Sequence, residues 1–398
     1  MMKMNRFIFA ALLIFCAVVA RADQDFESWK TDFYQQALSH KVSNAILDKY
    51  FVNAEYLPRV IELDRAQPEF TSSFGNYMKR AVSDTRISKA KQLLKNHSRI
   101  FGRVEELYGV PAHYLLAFWG VETNFGAVKG KINTLNALAT LAFDPRRSGF
   151  FSEQLVTLLK ILEREHIDVP TGSWAGAFGH FQFMPTTFYQ YAVDEDGDGR
   201  ADIIHSFDDA VASAANYLNK MGWQRDQTWG REVVLSDLSV VEKLGEKHTL
   251  KEWTKWGIKR ADGQAYKPQE EDILAELVMP EGVNGPAFLT YKNFDVIKRW
   301  NRSDFYALAI VVLADNIIDR DTLNIAALDI KPNLKNEDVK AVQQALKNKN
   351  MYDGKTDGRM GSGTKKALKA YQKANHLPAD GFLSVDLFNK ITNQKGDK

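Results

Sequence analysis

The chain is 398 residues long, 45% hydrophobic, 26% charged and 12% aromatic, with 52 Lys and Arg against 50 Asp and Glu for a formal net charge of +2. At roughly 100–200 residues per domain this predicts two or three domains with true apolar cores, and it excludes a disordered, collagen-like or disulfide-stapled chain. The even charge balance gives no global signature of nucleic-acid binding.

The first 22 residues read as a secretory signal. Lys3 and Arg6 precede an apolar run from Phe7 to Val19, and Ala20-Arg21-Ala22 offers small residues at the two positions a signal peptidase reads. The run is too short and wrongly flanked for a membrane anchor, and bulky Phe15 before Cys16 argues against lipidation. Cleavage would remove three positive charges and Cys16, the only cysteine, leaving a net charge of −1. The exported chain is then soluble, with no disulfide, thiol nucleophile or cysteine metal site.

From Asp23 to about Asp319 the pattern is mainly helical. Asp25–Phe51, Ile87–Tyr108, Pro111–Glu122, Gln154–Glu165 and Ser303–Ile318 each carry apolar residues at three- and four-residue spacing. Pro111 suits a helix start and Gly126 a stop. Residues 225–289 are less regular, and Val233-Val234-Leu235 and Ile273–Val278 read as short strands. Between Asp319 and Glu337 periodicity fades around Pro332 and Asn333, the mark of a linker. Lys335–Lys398 then holds 13 Lys and Arg against 7 Asp and Glu, so the rest of the exported chain is acidic and a separate module is expected. The expected organisation is a signal at 1–22, a catalytic domain at 23–319, a linker at 320–334 and a C-terminal domain at 335–398.

Several chemistries are missing. Leu162-Glu163-Arg164-Glu165-His166 has one histidine where a zinc peptidase needs two, and there is no Gly-x-Ser-x-Gly elbow. Gly126–Ile132 mimics a phosphate loop but is one residue short and ends in Ile. Glu122 stands out instead. On a helix, Leu115, Phe118 and Trp119 share its face. Aromatic desolvation and the negative helix end both favour the protonated carboxyl, the state a general acid needs. Taken locally, the same pattern also suits a carboxylate that caps or salt-bridges a helix end.

The surrounding segment, Gly120-Val121-Glu122-Thr123-Asn124-Phe125-Gly126, resembles the catalytic motif of lytic murein transglycosylases of the B type. Asn136–Leu141, Gly172–Pro185 with its Gly-Ser-Trp-Ala-Gly-Ala-Phe-Gly-His-Phe-Gln-Phe-Met-Pro run, Ala215-Asn216-Tyr217 and Trp300–Ala307 follow in the family's order. The resemblance covers about residues 25–319. It implies a mainly α (α+β), lysozyme-like catalytic fold and a periplasmic enzyme acting on peptidoglycan glycan strands as a monomer, without nucleic acid. It implies Glu122 as the single catalytic acid and base. Ser173 and Gln182 would hold the sugar and its N-acetyl group, and Tyr77, Tyr217, Trp300, Asn301 and Tyr306 would line the cleft. Trp300 stands where some relatives have Tyr, and Asn124-Phe125 replaces a more basic, Trp-containing pair. A hydrolytic muramidase and a non-catalytic wall-binding protein remain alternatives on the same scaffold.

Two further segments carry signals. Asp194–His205 spaces oxygens at loop positions 1, 3 and 5 (Asp194, Asp196, Asp198), a backbone carbonyl at Arg200 and an acid at Asp202, around Gly199 at position 6, as a calcium loop does. Its last position is His205, a poor calcium ligand, which leaves Asp208 as a substitute. Relatives carry an EF-hand-like loop here, so structural Ca²⁺ is expected, with no cofactor for catalysis. The tail, with Val339–Leu346, Tyr352, Asp357-Gly358, Ala367–Asn375 and Asp380-Gly381, is similar to the small three-helix peptidoglycan-binding domain of wall enzymes. Leu346, Leu368 and Tyr371 are expected in its core. Its lysine surplus suits either a solvated face or attraction to anionic wall carboxylates.

Overall fold

A computed structural model of the chain describes residues 25–66, 73–320, 322–329 and 334–393. The expected signal segment and the linker residues Pro332 and Asn333 lie outside the described residues. No helix among the described residues is long and apolar enough to cross a membrane. The described residues form two compact units, each discontinuous in sequence: one within Met1–Gln67 and Glu122–Tyr217, the other within Pro68–Val121 and Leu218–Lys398.

The first unit is built around helices Thr134–Phe143 and Ser148–Arg164, which pack extensively on each other, with helix Pro185–Tyr191 against the second of them. Their contact faces are almost wholly buried from Leu135 to Ala142 and from Leu155 to Leu162. An aromatic group of Phe26, Trp29, Phe33, Phe51 and Phe143 closes one side, with neighbouring ring centroids 5.0–6.2 Å apart. The segment Asp25–Phe51 is not one helix as its periodicity suggests. Residues 25–39 are helical, Lys41 turns left-handed (φ 67°), and Ser43 caps a new start by accepting the Ile46 N–H. A left-handed residue cannot continue a right-handed helix, so an apolar period alone hides the break.

In the second unit, helix Asp304–Ile317 is buried from Tyr306 to Asp315, and helices Phe74–Ala81 and Asp84–Asn96 pack on it. Ile87–Tyr108 likewise proves to be two helices, Asp84–Asn96 and Ser98–Tyr108, parted at His97 (φ −113°, ψ 25°).

Strands β1 (Ile132–Asn133) and β2 (Thr171–Gly172) form a small antiparallel pair in the first unit. The second unit holds β3 (Gly230–Leu235), β4 (Lys247–Thr249), β5 (Ile258–Arg260), β6 (Leu274–Val278) and β7 (Ala287–Thr290), an antiparallel sheet of order β4-β6-β7-β3-β5. The two runs read as strands are β3 and β6. Trp253 sits under the sheet, fully buried, and its indole N–H donates to the Ala275 carbonyl at 2.9 Å, so the large apolar ring carries no orphaned donor.

The C-terminal bundle comprises helices Asn336–Asn348, Ser362–Ala374 and Val385–Thr392 around Val342, Leu346, Leu368, Tyr371, Phe388 and Ile391. Two glutamines act alike inside it. Gln343 Nε2 donates to Asp357 Oδ1 (3.0 Å) while its Oε1 accepts the Gly358 N–H (2.9 Å). Gln372 repeats this on Asp380 (2.6 Å) and Gly381 (2.8 Å). Each buried amide thus clasps an Asp-Gly turn whose left-handed glycine (φ 76° and 72°) no larger residue adopts as easily. The other oxygen of Asp380 accepts the Val283 N–H at 2.9 Å, fastening the bundle to the turn after β6.

Candidate active site and acidic loop

Glu122 lies in the last turn of helix Ala112–Thr123. Tyr114 to Trp119 are each at most 5% exposed, so this helix is buried on every side rather than amphipathic. Only its end reaches a more open environment, and there Glu122 is half-buried. Asn124, Phe125 and Gly126 all take positive φ (49°, 60° and 78°), which stops the helix abruptly. For a bulky Phe that conformation is a genuine outlier, and such strain gathers where a site must be held in one shape.

Thr123 does the holding. It is fully buried; its hydroxyl donates to the His180 carbonyl at 2.7 Å and accepts the Gly126 N–H at 3.0 Å. The end of the Glu122 helix is thereby tied to the Gly172–Phe183 loop, which folds back through bridges Gly172–Phe178 and Phe178–Phe183. Gly176 (φ 84°) packs under Leu138, where an added Cβ would collide with the Leu side chain. Within the loop, Ser173 Oγ accepts the Ala177 N–H at 3.1 Å, which leaves its own proton to donate. Gln182, at positive φ (52°), gives Nε2 to the Lys129 and Gly179 carbonyls (3.0 and 3.1 Å), which leaves its amide oxygen as acceptor. Tyr217, 9% exposed, meets Tyr191 edge-on at 5.2 Å. Glu122, Ser173, Gln182 and Tyr217 all belong to the first unit.

Tyr77, Trp300, Asn301 and Tyr306 belong to the second. Trp300 lies against Phe118 at 4.6 Å between ring centroids, and Tyr306 is 6.3 Å from the same ring. Phe118 is one helical turn before Glu122 and on its face. Asn301 accepts the Ser303 N–H at 3.0 Å, shaping the turn into helix Asp304–Ile317. Tyr77 packs beside Phe305 at 5.9 Å and under the Arg80 guanidinium.

His180 is held neutral: burial and the Lys129 charge push its pKa down to about 4. His113, in the second unit, is held down to about 4 by burial and by Arg320. Between pH 6.5 and 4 the unfolded chain therefore binds protons that the folded chain refuses. Stability is fully present above 6.5 and falls as pH drops towards 4. A melting series over that interval is expected to decline with acid, and substituting either histidine with Gln should flatten it.

In the acidic loop the structure brings together Asp194, Asp196 and Asp209, with one carboxylate oxygen from each within 4.8 Å of the others. Asp209 comes from beyond the twelve-position loop, and Asp198 and Asp202 are not in this group. The Asp202 carboxylate is turned to the Ile204 and His205 N–H groups and the His205 ring (2.8–2.9 Å), which holds its pKa low against the opposing effect of burial. Asp198 accepts the Arg200 N–H, and Asp208 is not a member of the cluster. Asp209 is fully buried and accepts three backbone N–H groups, from Glu195 (2.8 Å), Asp196 (3.2 Å) and Asp202 (2.8 Å). Burial nonetheless pushes its pKa up. Hard carboxylate oxygens converging without nitrogen or sulfur donors fit a calcium-like cation. Sequence reasoning missed Asp209, and equally the tethering role of Thr123.

Residues 25–315 match the transglycosylase SLT domain family, and residues 335–391 match the peptidoglycan binding domain. The chain belongs to the transglycosylase SLT domain family. It is 33% identical over 242 residues to membrane-bound lytic murein transglycosylase B of Escherichia coli K12, a match spanning 59% of this chain and 64% of that relative. Among solved structures it resembles SltB3 of Pseudomonas aeruginosa in complex with NAG-anhNAM-pentapeptide (38% identity, TM-score 0.85, 92% of this chain and 99% of the other). It also resembles Escherichia coli lytic transglycosylase Slt35 in complex with calcium (28% identity, TM-score 0.63, 73% of this chain and 92% of the other). The fold is that of the lysozyme-like lytic transglycosylases, with a small sheet and a C-terminal helical module.

Proposed function

We propose that this chain is an exported, periplasmic lytic transglycosylase that cleaves the β-1,4 bond between N-acetylmuramic acid and N-acetylglucosamine in peptidoglycan. The observation that carries the reading is half-buried Glu122 at the end of an apolar helix, fastened through Thr123 to the Gly172–Phe183 loop. The family match and the peptidoglycan fragment bound by SltB3 support the substrate class.

The chemistry needs one carboxyl. Glu122 protonates the bridging oxygen as the C1–O bond breaks, and the substrate's own acetamide oxygen stabilises C1, a task that ordinary glycosidases give to a second carboxylate. The Glu122 carboxylate then takes the proton of the muramyl C6 hydroxyl, whose oxygen attacks C1 and closes a 1,6-anhydro ring. No water is consumed, and Glu122 ends protonated for the next turnover. Ser173 donates to the sugar and the Gln182 amide oxygen accepts from the acetamide N–H, while Tyr77, Tyr217, Trp300, Asn301 and Tyr306 supply contact surface along the strand. The C-terminal module holds the enzyme on the wall. Ca²⁺, held by Asp194, Asp196 and Asp209, would neutralise three converging carboxylates and stiffen the loop, with no part in the reaction.

Mass spectrometry of muropeptides from digested sacculi tests this reading. 1,6-Anhydromuramic ends are expected; reducing ends alone would identify a hydrolase and overturn it.

A further inference from the structure

The second unit contains a half-open cavity of about 420 Å³ whose lining includes His113, Arg225, Gln227, Arg231, Glu270 and Arg320. It opens beside the first turn of helix Ala112–Thr123, through Pro111, His113 and Tyr114.

Its polar groups are incompletely used. Arg225 engages Nη2 with the carbonyls of Glu105 and Glu106, Arg231 engages Nη1 with that of Gly230, and Arg320 engages Nη1 with Asp315 and Thr228. Each guanidinium has five N–H groups in a fork that matches a carboxylate. Beside them, His113 Nε2 and Gln227 Oε1 are buried without a hydrogen-bond partner. Buried polar atoms without partners are rare in folded proteins, and two on one cavity wall mark a place where something binds.

Charge selects the ligand. Three guanidiniums face two carboxylates on the lining, Asp226 and Glu270, and a third, Asp315, sits buried behind Arg320. The balanced wall gives a bare anion little net attraction. It offers donors for a carboxylate and, in Asp226, Glu270 and Gln227 Oε1, acceptors for an ammonium group.

We propose that this cavity binds a zwitterionic amino-acid end, one carbon bearing both a free amine and a free carboxylate, at a site separate from Glu122. The Arg231 and Arg320 forks take the carboxylate, and Gln227, Asp226 and Glu270 take the amine. Such ends come either from free amino acids or from diamino-acid side chains on peptidoglycan stems; the second source rests on the proposed function, whereas binding itself does not.

The test uses the full chain carrying Glu122→Gln, so that nothing is turned over. Calorimetry and the fluorescence of the neighbouring Trp223 and Trp229 are followed during titration with meso-diaminopimelate, with D-alanine, and with a muropeptide bearing a free diaminopimelate end. Saturation is expected, weakened at least tenfold by Arg231→Gln and by Asp226→Asn in proteins with unchanged melting temperature. Saturation by the muropeptide and not by the free amino acids assigns the stem as source, and the reverse assigns the free amino acid. Absence of saturation by all three, equal binding of acetate or inorganic phosphate, or indifference to both substitutions would overturn the proposal. Separately, Arg231→Gln in the otherwise unaltered enzyme is expected to keep its kcat on sacculi. Cleavage is read in that second assay alone and binding in the first, so the two readings fail independently.

Discussion

Glu122→Gln is expected to lower the release of anhydromuropeptides by about 10²–10⁴-fold, the usual contribution of a positioned general acid and base, or about 3–5 kcal/mol of barrier. Gln keeps the size of the side chain and can donate a hydrogen bond, but it cannot pass a proton to the leaving oxygen or take one from the C6 hydroxyl. Both half-reactions therefore fail together. The residue is half-buried at a helix end rather than packed in the core, so the melting temperature should stay within a degree or two of the parent, and sacculus binding should persist. A clean contrast comes from Thr123→Val. The fully buried hydroxyl spans the helix end and the His180 carbonyl, so its loss leaves the carboxyl intact and loosens its position, and both stability and kcat should fall. An unchanged rate of anhydro-product release by Glu122→Gln would remove this residue from the chemistry.

Much of this was legible in the sequence because local pattern and chemistry coincide at Glu122. An apolar helix that must stop before Gly126 leaves one carboxyl at its end, and Thr123 ties that end to the Gly172–Pro185 motif. The C-terminal core was legible too, since Val342, Leu346, Leu368 and Tyr371 fall at helical spacing and are buried together. What escaped was short or non-local. Strands β4, β5 and β7 have three or four residues each, too few for a period to declare itself, and are held by pairings such as Arg231 with Leu289 that join distant segments. The breaks at Lys41 and His97 lie inside uninterrupted apolar periods, because a backbone turn need not disturb side-chain spacing. Asp209 escaped for a related reason. A twelve-position loop template ends at His205, whereas the fold recruits a carboxylate from the first turn of the next helix, Phe207–Lys220.

Asp209 also carries the second large expected effect. Its carboxylate accepts three backbone N–H groups from the acidic loop while fully buried, and hydrogen bonds to a charged group contribute about 1.5–3 kcal/mol each, without simple additivity. Asp209→Ala removes the acceptor and leaves three backbone donors stranded, a change expected to cost about 3–5 kcal/mol in all at about 1–3 kcal/mol for each unsatisfied group, short of full additivity. At about 2–4 °C per kcal/mol, the melting temperature should drop by about 6–20 °C. Asp208→Ala, one position earlier and outside the converging group, should cost much less, which separates the cluster from a general loss of helix-start charge. Calcium provides the independent readout. A cation that binds the folded loop and not the unfolded chain stabilises by mass action, about 2.7 kcal/mol at a hundredfold excess over Kd. Millimolar calcium should therefore raise the melting temperature of the parent protein and do little for Asp209→Ala. The same salt should also move Asp202→Asn, whose native carboxylate is spent on its own turn and His205. Equal calcium responses in the parent and Asp209→Ala would refute the Asp194–Asp196–Asp209 assignment, and an Asp202→Asn protein that had lost its response would return the ion to the twelve-position loop.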